Sequence, residues 1–125
     1  MQHINHCGTD QLRLVLFLLG GIILDKVIAE KIKRRENQIL LHACLYYEYN
    51  LNLISDDLYD KWSFELKDLI DHYPEEFTAS PYYQDFKKFV PDSGYYLPYK
   101  KKARRARFMK TQYEKELKLQ KEHKK

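Results

Sequence analysis

Between Ser55 and Pro74 the residues Tyr59, Trp62, Leu66, Leu69 and Tyr73 recur at steps of three and four, the period of one face of an α-helix. Both ends of the stretch are marked. Ser55 is a good N-cap, because its hydroxyl can accept a backbone N–H of the first turn, and Asp56 and Asp57 complement the positive end of the helix dipole. Pro74 has neither the N–H nor the space that a continuing helix needs. The spacing predicts a helix over 56–72. A longer pattern precedes it: Ile28, Ile32, Ile39, Ala43 and Tyr47 recur near 3.6 residues and predict a helix from Ile22 to about Asn50. Its polar side carries Lys31-Ile32-Lys33-Arg34-Arg35, read as a solvated helix face.

The remaining sequence agrees with an all-α fold. Four Gly and four Pro in 125 residues are too few for a many-stranded sheet with tight turns. A chain of this length has room for one modest core. Residues 78–99 hold Pro81, Pro91, Pro98, Gly94 and seven aromatics, which predicts a compact aromatic-rich loop lying over the helices. The expected architecture is a small antiparallel helical domain, with that loop and a basic C-terminal helix or tail. Its parts are an apolar segment over 1–21, a helical domain over 22–99 and a basic tail over 100–125.

Charge divides the chain at the same place. Residues 99–125 carry twelve Lys or Arg against three Glu, whereas residues 1–98 carry ten against fifteen acids. A mildly acidic body with a strongly basic tail points to an acidic partner, nucleic acid being the usual one. The candidate contacts are Lys100, Lys101, Lys102, Arg104, Arg105, Arg107 and Lys110, interleaved with Phe108 and Tyr113, whose rings suit stacking on single-stranded bases. Ala103, Ala106, Met109, Tyr113 and Leu117 form only a weak apolar stripe, so the tail is expected to be partly ordered until it binds.

Two cysteines, Cys7 and Cys44, make neither a disulfide framework nor a four-ligand zinc site, and a reducing compartment is expected. His3, His6 and Cys7 read as a loose N-terminus. Thr9 or Asp10 would cap a first helix to about Leu19, interrupted by Gly20-Gly21. The apolar run Leu14–Leu24 is eleven residues, short of the roughly 20 needed to span a bilayer. No small-x-small cleavage site follows it. A buried or partner-covered helix is expected, with no membrane span and a cytoplasmic location.

One constellation stands out in residues 45–76. Tyr46-Tyr47, Ile54-Ser55-Asp56, Tyr59-Asp60, Glu65-Leu66 and Pro74-Glu75 follow one another at fixed intervals. This pattern resembles the N-terminal domain, called Ia, of bacterial NAD-dependent DNA ligases, with no gap required and over residues 37–77 at most. It is also similar to short ligase-related proteins encoded by bacteriophages, which share the basic run before the Tyr-Tyr pair. They also share a Gly-aromatic-x-Leu-Pro-Tyr element, here from Gly94 to Tyr99. The ligase resemblance implies a site for the nicotinamide mononucleotide (NMN) half of NAD. Tyr46 and Tyr59 would bracket the nicotinamide ring, and Tyr47 stands where the family often has His or Tyr. Asp56 and Asp60 would accept hydrogen bonds from the ribose hydroxyls and the carboxamide. The chemistry is sound without the family, since a flat cationic heterocycle favours aromatic faces and sugar hydroxyls favour carboxylates.

The same resemblance argues against catalysis. Ligases carry AMP on the lysine of a Lys-x-Asp-Gly motif, and this sequence has none; the four-Cys zinc module and the nucleic-acid-binding domains of the family are missing too. The family's Pro two residues before the Ile is replaced by Asn52. No Ser-His-Asp or Cys-His arrangement is suggested, so the chain is expected not to be an enzyme and to require no cofactor or metal. Two functions fit. The first is a non-catalytic, phage-type interaction protein that engages nucleic acid or a nucleic-acid-binding host protein, a class that includes inhibitors of host defence. The alternative is a binding module for NMN or the NMN half of NAD.

Overall fold

The structure is a computed structural model and describes residues 24–124. The expected helix before Gly20, nearly all of the apolar run and Cys7 lie outside these residues. Every regular element among the described residues is helical.

The first, α1 (Lys26–Tyr49), starts where Asp25 Oδ1 accepts the N–H groups of Val27 and Ile28, at 3.0 and 3.2 Å. A cap at Asp25 is not among the sequence expectations. The helix ends as expected at Asn50, which adopts the left-handed conformation (φ 51°) that Asn tolerates better than most residues. There the Leu51 N–H reaches back to the Leu45 carbonyl at 3.0 Å, closing the last turn. Helix α2 (Asp56–His72) has the predicted bounds, with Ser55 Oγ accepting the Leu58 N–H at 3.1 Å. Pro74 does more than stop it. As the first residue of a short helix, α3 (Pro74–Thr78), its missing N–H leaves nothing unsatisfied.

Helices α1 and α2 pack through the stripes that the spacing predicts. Ile28, Ile32, Ile39 and Leu40 of α1 meet Leu66 and Tyr73, with Trp62, Leu69 and Ile70 at the margin. Arg35 belongs to this contact rather than to a free basic face. Its Nε and Nη2 reach Glu65 Oε2 at 3.0 and 2.9 Å, and its guanidinium lies 5.4 Å from the Trp62 ring centre.

The aromatic-rich stretch folds over the pair. It contains one turn of helix, α4 (Tyr83–Phe86), and sends Phe86, Phe89 and Leu97 into the same core as Phe77. A 3₁₀ turn (Tyr99–Lys102) then leads into α5 (Ala103–His123). The basic end is therefore helical, and its start is seated on the body. Ala106 is fully buried against Cys44 and Leu45 of α1, with Ala103, Met109 and Tyr99 around them. From Thr111 to Lys124 every residue is exposed. No described helix is long and apolar enough to cross a membrane.

Candidate functional site

All five residues assigned to the nicotinamide nucleotide border one cleft of about 530 Å³. Three elements build it. The last turns of α1 contribute Tyr46 and Tyr47, the connection and first turn of α2 contribute Asp56, Tyr59 and Asp60, and residues 91–93 close the remaining side. The convergence follows from the local sequence. Asp56, Tyr59 and Asp60 lie at i, i+3 and i+4 and so share one face of α2. The left-handed Asn50 then folds that face back toward Tyr46.

The five residues differ in their freedom. Tyr46 is 46% exposed. Asp56 and Asp60 are also exposed, and no side chain among the described residues pairs with either carboxylate. Tyr59 is deeper: its hydroxyl oxygen is buried without a hydrogen-bond partner, and burial pushes its pKa far up, so it stays protonated. Tyr47 is committed to packing. Its ring meets Tyr46 edge-on at 4.9 Å and Tyr95 at 5.0 Å, and stacks on Tyr99 at 5.4 Å, while its hydroxyl donates to the Ser93 carbonyl at 3.0 Å. Tyr47 thus holds the aromatic loop against the cleft.

The loop is also tied to itself. The Tyr96 hydroxyl donates to the Val90 carbonyl and accepts the Val90 N–H, both at 3.0 Å. Gly94 sits at φ +73°, and a Cβ there would strike the Tyr59 hydroxyl. Only glycine meets both conditions.

Sequence reasoning missed His42, Phe64, Asp92 and Ser93, which also line the cleft. His42 and Phe64 were within reach of helical spacing, each four residues from an assigned residue, Tyr46 and Asp60. His42 lies 5.6 Å from Trp62, and burial lowers its pKa, leaving it neutral at neutral pH. Asp92 and Ser93 come from a loop more than thirty residues away, and no local pattern announces that contact. Among the described residues no group of His, Cys, Asp or Glu is gathered to hold a metal ion.

A DNA ligase from Mycoplasmopsis pulmonis (strain UAB CTIP) is 35% identical to this chain over 63 residues, which is 50% of the chain and 9% of that ligase. The chain contains a ligase-related region. It spans less than a tenth of the length of that relative. No protein-family profile matches the chain, and neither does a solved structure.

The basic candidates differ in their partners. Lys100 pairs with Glu48 at 3.5 Å and Lys101 with Asp85 at 2.8 Å. Lys102 donates to Asn37 and lies over the Tyr82 ring, 5.0 Å from its centre. Lys110 pairs with Glu114 at 2.9 Å, and Arg105 lies 5.5 Å from the Phe108 ring centre. The three arginines are different: Arg104, Arg105 and Arg107 are exposed and have no carboxylate partner among the described residues. At about 100° per residue, Arg104, Phe108 and Lys115 fall on the side of α5 opposite the seated Ala106.

Proposed function

We propose that this chain is a non-catalytic binding module for the nicotinamide riboside portion of NMN or NAD. The observation that carries the reading is the convergence of Tyr46, Tyr47, Asp56, Tyr59 and Asp60 on one cleft. In this reading Tyr46 and Tyr59 supply aromatic surface for a cationic ring, and Asp56 and Asp60 accept hydrogen bonds from the ribose. Tyr47 positions the loop. A small ligand in a half-open site should bind NMN with a dissociation constant on the order of 0.1–1 mM. Calorimetry or NMR titration measures this directly, and Tyr46→Ala or Asp60→Ala should each abolish it. Absence of binding of both NMN and nicotinamide riboside at several millimolar would reduce the ligase-like residues to a packing pattern.

A second reading is favoured by the outward face of α5. Exposed arginines next to Phe108 suit a single-stranded nucleic acid, and a phage-type protein engaging nucleic acid or a host nucleic-acid enzyme, as an inhibitor of host defence, would use such a face.

A further inference from the structure

The cleft has a one-sided electrostatic lining. Asp56 and Asp60 reach it from α2 and Asp92 from the loop, while no lysine or arginine among the described residues lines it. Its histidine, His42, is neutral at neutral pH. The α1 end that borders it is the negative end of that helix, and no basic residue lies in the last turn to offset it. The N-terminus of α2 also borders the cleft, and such an end is a common phosphate site. Here, however, Ser55 Oγ already caps the Leu58 N–H, and Asp56 and Asp57 place two negative charges in the first turn.

We infer that the cleft selects a phosphate-free, positively charged nucleoside, with N-ribosylated pyridinium compounds as the ligand class, and that Asp92 is a specificity-determining residue. This rests on the nicotinamide reading above and narrows it. A pyridinium riboside brings one positive charge and hydroxyl donors to aromatic faces and acceptors. A 5′-phosphate adds nearly two negative charges at neutral pH, and the lining offers them no cation. Asp92 is held for this role, since its Oδ1 accepts the Gly94 N–H at 3.1 Å.

The test is a titration of the full chain with nicotinamide riboside and with NMN, each at low and high salt, followed by NMR or calorimetry. Nicotinamide riboside should bind at least about tenfold tighter at low salt, and the gap should shrink at high salt as the carboxylates are screened. Asp92→Asn keeps an acceptor for the Gly94 N–H but removes the charge, so it should narrow the gap without loss of the fold. NMN binding as tightly as the riboside would overturn the inference while leaving the nicotinamide reading intact. Binding of neither compound at several millimolar would overturn both. An unchanged gap in Asp92→Asn would remove Asp92 from its assigned role.

Discussion

Glu36 lies on α1 between Ile32 and Ile39 and is wholly buried, with one oxygen accepting the Ser80 hydroxyl at 2.8 Å. Burial raises its pKa from 4.5 to about 7, against the opposing pull of hydrogen bonds from Ser80 and the Tyr82 backbone and with a small push from Asp85. The sign of the linkage follows. Below pH 4.5 the carboxyl is protonated whether the chain is folded or not, so it has no effect there. As the pH rises from 4.5 to about 7 the unfolded chain ionises first and stability falls. Above that window the loss is complete, on the order of 3 kcal/mol. Glu36→Gln should therefore be more stable than the native protein above pH 7 and no more stable near pH 4.5, by denaturant unfolding at both. An equal difference at the two pH values would show that Glu36 does not titrate in this way. The position is legible in the sequence, because a step of four from Ile32 lands on it. The neighbouring basic run conceals it by making the whole stretch look solvated.

At the level of elements, α1 and α2 were readable because each carries its own evidence: a periodic stripe, and for α2 a cap and a proline. The seat of α5 was not. Ala106 looks too small to anchor a helix, yet its size lets the two backbones come close over Cys44 and Leu45. That fit depends on residues about sixty positions away, which spacing within the tail cannot reveal. The seat divides the basic end into two parts with different roles. A chain ending after Tyr99 loses Ala103, Ala106 and Met109 from the cluster and should be destabilised by roughly 2 kcal/mol, lowering the thermal midpoint by several degrees. A chain ending after Lys110 keeps the seat and should melt like the full protein. Circular-dichroism melts of the three chains check this, and equal midpoints for all would mean that the docking contributes no stability.

For the molecule as a whole, charge and shape are coupled. From Thr111 to His123 α5 continues for about 20 Å as a rod with no cover among the described residues, and its exposed arginines lie just before that stretch. If this face binds nucleic acid through four to six phosphates, affinity for a single-stranded oligonucleotide should fall with salt at a log–log slope of roughly −3 to −4. Changing Arg104 and Arg107 to Gln should bring that slope nearer zero by about 1.4. Fluorescence anisotropy measures both, and binding that ignores salt would leave the face as solvated surface. The cleft was about half legible at this scale: its helical walls follow from the motif spacing, while the 91–93 wall depends on the whole chain closing over α1. The seat of α5 has a chemical consequence as well. Cys44 lies under Ala106, fully covered, and burial raises its pKa, so it is shielded in space and held as the unreactive thiol. An alkylating reagent reaches that sulfur only when the helix lifts, which makes Cys44 a built-in clock for the opening of the fold.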